Sequence, residues 1–171
     1  NPPIRYDEDR ETLWRRLRDG TIDCIATDHA PHTLENKMLG FPQAHSGMPG
    51  VETSLPLMLT HAADGMCSVP DVVSWMCEGP ARVYGMTGKG RLAEGMDADL
   101  VLVDMETHRE VRDADTWTRV GWTALNRMAL TGWPMLTIVD GVVVHSRDAG
   151  GTLRGNAVAA PGSAGRALEF S

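Results

Sequence analysis

CIATDHAPHT, residues 24–33, joins a short apolar run to an acid and two histidines. The apolar residues between Ile22 and Ala26 are too few for a helix and are flanked by turn formers, so they predict a buried strand over residues 22–27. Asp28 then lies at the C-terminal end of that strand, where α/β barrels and open α/β sheets carry their chemistry. The residues alone leave a second interpretation open, in which a solvated turn follows the strand and the acid caps the next segment.

A helix is predicted immediately before this strand. Asp7 fits the N-cap, acidic residues fill the first turn and arginines fill the last, which suits the helix dipole. Gly20 ends the helix. A helix that leads into a buried strand through a short loop forms one αβ unit, so the predicted fold class is α/β.

A long polar segment rich in Gly and Pro follows, from Thr33 to Gly50. A loop of this length in a compact domain is usually functional or mobile. Because it comes directly after the candidate acid, we expect a lid or a substrate loop, with a disordered insertion as the alternative.

The remaining chain predicts helices and then strands. Helices are expected at 52–64 and from Ser68 onward, with an interruption at Gly79-Pro80. After Gly85 the chain becomes β-rich, with a strand at 99–104 and a hairpin around Asp140-Gly141, which is a strong turn signal between β-branched runs. These elements indicate a separate all-β module over 86–148, followed by a flexible tail over 149–171.

Composition limits the classes of function. The 171 residues suffice for a sizeable core, and the net charge of −7 argues against a nucleic-acid partner, which requires a basic face. No apolar run reaches the length of a membrane span, and no signal peptide is visible. Three cysteines, an odd number without C-x-x-C spacing, indicate reduced thiols in a cytoplasmic protein, with a metal or redox role as the alternative. The chain starts in what reads as the middle of a loop, so we expect it to be part of a longer protein.

Three motifs together resemble the dihydroorotases of the bacterial and multifunctional type. They are NPPIR at 1–5, IATDHAPHT at 25–33 and PGVET at 49–53. The segment from Gly90 to Val101 and the GWP motif at 132–134 resemble the wider cyclic amidohydrolase superfamily. The second histidine of D-H-A-P-H is the feature that separates dihydroorotases from these relatives. The similarity covers nearly all of residues 1–147.

The resemblance implies a fold and a set of site residues. The fold is the C-terminal part of a metal-dependent (β/α)8 barrel of the TIM type, over residues 1–85, with a small β-sandwich over 86–148. Asp28 takes the role of metal ligand and general acid/base. The residues that contact substrate by this resemblance are Asn1, His32, Ser46 and Gly47.

The implied reaction interconverts (S)-dihydroorotate and N-carbamoyl-L-aspartate in de novo pyrimidine (UMP) biosynthesis. One or two zinc ions per site, a homodimer and an association with aspartate transcarbamoylase are implied with it. A metal lowers the pKa of bound water and stabilises an oxyanion, while a carboxylate moves the proton. Substrate and product are anionic, so hydrogen-bonding or cationic partners such as His32 and Asn1 suit them.

The chain also departs from the family pattern. The family's other metal ligands belong to motifs that would precede Asn1, and one carboxylate does not hold a hydrolytic metal centre. We therefore expect the isolated chain to be inactive and to bind metal weakly. Gly79 stands where relatives usually have asparagine. His29 is expected to hydrogen-bond within the barrel, and His45 is the remaining histidine best placed for a role, because it lies in the loop.

Two rival functions remain open at this point. One is another cyclic amidohydrolase, of the hydantoinase or dihydropyrimidinase type. The other is a non-catalytic dihydroorotase-like subunit that scaffolds aspartate transcarbamoylase.

Overall fold

The computed structural model describes residues 6–147 and 156–157 of the chain. Asn1 and the predicted tail, apart from 156–157, lie outside the described residues. The helical elements are α1 Asp7–Arg18, α2 Leu34–Lys37, α3 Ser54–Ala63, α4 Val69–Val73, a π-helical segment Ser74–Glu78, α5 Gly79–Val83 and a 3-10 turn Asp113–Asp115. The strands are β1 Leu100–Glu110, β2 Ala129–Val139, β3 Val142–Ser146 and β4 Asn156–Ala157.

Helix α1 confirms the first predicted helix. Acidic residues occupy its first turn and arginines its last, in the order that the helix dipole favours. Its N-cap is Tyr6 rather than Asp7, and the Tyr6 N–H donates to Asp9 Oδ2 at 3.3 Å. Trp14 packs edge-on against Trp75, with ring centroids 6.2 Å apart.

The strand predicted over 22–27 is wrong for the described structure, because these residues form no regular element. Ile22, Cys24 and Ile25 are half-buried, as the apolar pattern requires, but the described strands pair only with one another. A strand needs a neighbour to pair its backbone groups. Here the Ile25 N–H instead donates to the Trp75 carbonyl at 3.0 Å.

Gly79-Pro80 does not interrupt the helical path as predicted. The π-helical segment leads into α5, where Pro80 occupies the first turn and its missing N–H is tolerated. Gly79 is buried, and a Cβ at this position would collide with the Asp23 carbonyl oxygen. The close passage of the residue 23 backbone therefore explains the glycine.

The four strands form one antiparallel sheet in the order β1-β2-β3-β4. The hairpin between β2 and β3 is confirmed, with positive φ values of 49° at Asp140 and 78° at Gly141, as a tight turn of this kind needs. The described strands make a single layer, so the second layer of a β-sandwich stays a prediction.

Helix α3 packs against β2 at a glycine. Gly132 has a φ of +82°, and a Cβ there would lie 2.7 Å from the Leu59 Cβ. The Thr60 hydroxyl beside it accepts the Thr131 N–H at 2.8 Å. The core of this region consists of Val111, Leu130 and Trp133, with Leu57 and Leu125 packed against it.

The described chain divides into two compact units, and each is discontinuous in sequence. One contains residues up to 26 and 70–96, and the other contains 27–69 and the residues from 97 onward. The predicted domain ranges of 1–85 and 86–148 are continuous, and they stay a prediction. None of the helices in the described part is long and apolar enough to span a bilayer.

Candidate active site

Asp28 is exposed and adopts a left-handed backbone conformation, with a φ of +43°. Aspartate is one of the few non-glycine residues that tolerate this region. The sharp turn ends the apolar segment and presents the carboxylate to solvent. The carboxylate is therefore accessible to a substrate or a metal ion.

His29 bonds to the protein backbone. Its Nδ1 accepts the Gly50 N–H at 3.1 Å and the Val51 N–H at 3.2 Å. His29 therefore makes hydrogen bonds within the chain, and its expected place within a barrel stays a prediction. Because Nδ1 accepts, the ring carries its proton at Nε2, and His29 ties the start of the loop to its end.

The loop after the acid has a defined path, which a disordered insertion would not have. Thr33 caps the short helix α2 by accepting the Asn36 N–H at 3.3 Å. The Lys37 ammonium donates to the His45 carbonyl at 2.7 Å and to the Gly47 carbonyl at 2.9 Å. The Ala30 N–H donates to the Met48 carbonyl at 3.1 Å. The far end of the loop therefore lies against residues 30–32.

Gly47 is the point of closest approach between the loop and this segment. Its φ is +115°, and a Cβ there would lie 2.6 Å from the Ala30 Cβ and 3.5 Å from the His32 ring. Any side chain would force the loop away. Ser46 is exposed next to it. The structure thus brings Ser46 and Gly47 beside His32.

Two further side chains join this group. The Nδ1 atoms of His45 and His32 are 3.4 Å apart. The Trp122 indole N–H donates to the His32 carbonyl at 2.8 Å, and its ring lies 5.9 Å from the Lys37 ammonium. The position of His45 in the loop had already indicated a possible role for this residue. Nothing in the sequence indicated Trp122, which lies 90 residues from His32.

Glu52, in the PGVET motif, connects the start of α3 to the segment between β1 and β2. Its carboxylate accepts the Trp117 N–H at 2.8 Å and the Thr118 N–H at 2.7 Å. The PGVET motif by itself does not indicate this role for Glu52. Together with Trp122, these bonds fix residues 117–122 beside the loop.

One cavity in the described part of the chain is not lined by Asp28 or His32. It encloses about 360 Å³ between the start of α3 and the sheet. The Arg147 guanidinium on its wall lies 5.3 Å from the Trp133 ring centroid. Burial lowers the pKa of Arg147 and of His145 beside it. The cavity is lined mainly by apolar atoms, and neither Asp28 nor His32 reaches it, so we do not identify it with the catalytic site.

The described residues do not form a metal centre by themselves. Among them, no group of three or more His, Cys, Asp or Glu side chains is arranged to hold an ion. A hydrolytic metal centre needs several protein ligands, and Asp28 supplies at most one. Asn1, the other predicted site residue of the N-terminal motif, lies outside the described residues.

Comparison with known proteins identifies relatives along nearly the whole chain. The profile of the Amidohydrolase family matches residues 5–144. The dihydroorotase of Halobacterium salinarum is 45% identical over 148 residues, which are 86% of this chain and 35% of that protein. The dihydroorotase of Bacillus caldolyticus is 42% identical over 149 residues, 86% of this chain and 34% of that protein.

The chain also superposes on solved structures of hydantoinases. The L-hydantoinase (dihydropyrimidinase) of Arthrobacter aurescens superposes with a TM-score of 0.82 at 35% identity, over 92% of this chain and 35% of its own. A D-hydantoinase superposes with a TM-score of 0.81 at 26% identity, over 90% of this chain and 35% of its own. The chain spans about a third of the length of the relatives it matches.

Proposed function

Because the chain belongs to the amidohydrolase family, we propose that it supplies the C-terminal part of a working dihydroorotase. The full enzyme would interconvert (S)-dihydroorotate and N-carbamoyl-L-aspartate in pyrimidine biosynthesis. One observation carries the proposal: the second histidine of D-H-A-P-H, His32, lies beside the loop backbone at Gly47, four residues after an exposed acid. The relatives named dihydroorotase support this choice of substrate.

Asp28 would act as the general acid/base. In hydrolysis it takes a proton from the attacking water and returns it to the ring nitrogen as the amide C–N bond breaks. Its exposure and its position at a sharp turn suit both steps, because substrate and water reach it freely. In cyclisation the same carboxylate runs the two transfers in reverse.

The substrate would be held by Asn1, His32 and the backbone of Ser46 and Gly47. Backbone groups of a loop suit a pyrimidine ring, which presents amide donors and acceptors along its edge. The glycine at 47 lets this backbone come close to His32. The imidazole adds a donor for an anionic substrate.

The family is generally metal-dependent, and we propose zinc, one or two ions per complete site. Such a metal would lower the pKa of water and stabilise the oxyanion. Asp28 would supply one ligand, and the others would come from outside the described residues. The (β/α)8 barrel, the β-sandwich, a homodimer and a cytoplasmic location belong to the same proposal.

The test compares the isolated chain with the full-length protein that carries it, both loaded with zinc. We expect the full-length protein to hydrolyse dihydroorotate and the isolated 171-residue chain to show no turnover. Hydrolysis by the isolated chain would contradict the proposed incompleteness. A folded, metal-loaded full-length protein without turnover would contradict the proposed activity.

A hydantoinase-like activity is the second candidate, and the likeness to hydantoinase structures favours it. The two candidates differ in substrate, because dihydroorotate carries a carboxylate that dihydrouracil lacks. Replacing His32 should impair turnover of dihydroorotate far more than turnover of dihydrouracil. Equal impairment of both would favour the hydantoinase. A folded but inactive protein that binds aspartate transcarbamoylase would instead indicate a scaffold.

A further inference from the structure

Trp122 contacts both sides of the loop that carries the proposed substrate contacts. Its indole N–H donates to the His32 carbonyl at 2.8 Å, and the Lys37 ammonium lies 5.9 Å from its ring centroid. Lys37 in turn bonds to the carbonyls of His45 and Gly47 at the far end of the loop. One half-buried side chain from the segment between β1 and β2 therefore contacts the start of the loop directly and its far end through Lys37.

We propose that Trp122 is a positioning residue, which holds the His32 backbone and the Lys37 ammonium in the arrangement that binds substrate, and that Glu52 anchors the segment which carries it. The inference rests on the proposed function, since the affinity that it concerns is the affinity for the substrate proposed above. It gives a role to two side chains that the proposed function does not use.

The backbone around His32 depends on individual hydrogen bonds. His32 lies outside the described helices and strands, and it follows Pro31, which has no N–H to donate. The His32 N–H donates to the Ala30 carbonyl at 3.0 Å, and the His32 carbonyl accepts the Trp122 indole N–H. A segment with few backbone bonds opens locally when one of them is lost. Removal of the indole N–H should therefore loosen this segment without changing any group that contacts the substrate.

Bonds to carboxylates hold Trp122 itself in place. On one side the Glu52 carboxylate accepts the backbone N–H groups of residues 117–118 at 2.8 and 2.7 Å. On the other side the Asp113 carboxylate accepts the Thr123 N–H at 2.8 Å. Such charge-assisted bonds are stronger than bonds between neutral groups. A ring that is fixed from both sides loses little further entropy when it holds the loop.

A purely structural role for Trp122 is the alternative, and it predicts different measurements. A residue that only stabilises the fold would change the melting temperature and leave the KM of the folded enzyme unchanged. A residue that positions substrate contacts would instead raise KM with little change in kcat, because it affects binding in the ground state and in the transition state alike.

The experiment uses the full-length, metal-loaded protein with the variants W122F, E52Q and the double variant. W122F removes the indole N–H and keeps an aromatic face for the Lys37 ammonium. E52Q keeps one oxygen and replaces the other by an amide donor. W117F is the matched control, because it makes the same change in the same segment at a residue that is 53% exposed and bonds to Glu52 through its backbone.

The measurements are kcat and KM for dihydroorotate, the melting temperature, and hydrogen exchange. We expect W122F to raise KM by about three- to tenfold with little change in kcat, as the loss of one hydrogen bond predicts. E52Q should raise KM by about two- to fivefold, and W117F should match the wild type. Hydrogen exchange over residues 30–48 should be faster in W122F and unchanged in the β2–β3 hairpin.

The double variant tests whether Glu52 acts through Trp122. If both residues support the same contact, the KM increase in the double variant should be smaller than the product of the two single increases. Independent, multiplicative effects would overturn the anchoring role of Glu52.

A folded W122F protein with the KM of the wild type, or with wild-type exchange in the loop, would overturn the positioning role and leave the dihydroorotase proposal intact. If W122F does not fold, E52Q decides by its own KM and loop exchange. A wild-type protein without turnover would contradict the proposed function, while hydrogen exchange in W122F would still test the contact. The two failures are therefore distinguishable.

Discussion

The loop over residues 28–48 and the β2–β3 hairpin belong to the same compact unit but are held in different ways. The hairpin is held by a ladder of backbone hydrogen bonds, to which several residue pairs of β2 and β3 contribute. The loop depends on a few side chains, chiefly His29 and Lys37, and on the absence of a side chain at Gly47. Single substitutions in the loop should therefore change its geometry and leave the sheet intact. Substitutions in the sheet should change the stability of the protein and leave the geometry of the loop intact.

The largest expected effect is on catalysis at the start of the loop. D28N should lower kcat of the full-length protein by about 10²- to 10⁴-fold, because the amide does not transfer the proton. Asparagine tolerates the left-handed backbone of Asp28, so the melting temperature should stay the same. D140N makes the same change at the left-handed aspartate of the hairpin and should retain activity. Equal losses of kcat in D28N and D140N would contradict a specific catalytic role for Asp28.

Next in size is a pair of glycine substitutions. G132A should destabilise the protein by about 2–4 kcal/mol. The alanine would have to adopt a left-handed backbone conformation, and its Cβ would clash with Leu59 in a packed interface. G47A meets a similar clash, but its exposed loop can shift away. We expect about tenfold lower kcat/KM with a loss of stability of only about 1 kcal/mol.

Urea unfolding and steady-state kinetics measure both glycine variants. G40A is the control for the loop, since a Cβ there meets nothing within 4 Å and its φ is not positive. A G47A protein with full activity would show that the loop does not need its close approach to Ala30.

We expect a smaller effect from the substitution of Lys37, whose ammonium bonds the two parts of the loop together. K37M removes the donor to the carbonyls of His45 and Gly47 and keeps the aliphatic stem. We expect faster hydrogen exchange in the loop and a several-fold higher KM, because the loop loses two charge-assisted bonds and keeps its other contacts. K37R, which keeps a cationic donor, should restore part of the affinity. Unchanged exchange in K37M would mean that other contacts hold the loop.

The smallest effect is a pH response in the helix–sheet region. Burial lowers the pKa of His61 in α3 and of His145 in β3, so the folded protein binds protons less readily than the unfolded chain. Stability should therefore fall as the pH drops through 6.5, the ordinary pKa of a histidine, and should level off below the lowered pKa values of the folded state. Melting temperatures from about pH 8 to about pH 5 measure this, and H61Q should flatten the curve. A flat wild-type curve would contradict the prediction.

Local sequence patterns predicted those elements that interactions between neighbouring residues stabilise. The charge order and apolar spacing of residues 7–18 predicted α1, and Asp140-Gly141 predicted the hairpin. The strand at 22–27 failed for the opposite reason: its apolar residues are half-buried, but pairing depends on a neighbouring strand that the described residues do not include. The sequence predicts a break at Gly79-Pro80 because it does not reveal that a π-helical segment precedes Pro80.

The sequence by itself determined the family and the candidate chemistry, because the acid, the second histidine and the glycine of the loop are readable as residue types at fixed spacing. Only the tertiary structure decided which of them meet. His45 lies 13 residues from His32 and Trp122 lies 90 residues away, yet both contact it. Such contacts follow from the folded path of the chain, since Lys37 and Gly47 turn the loop back on itself, and no local spacing encodes that path.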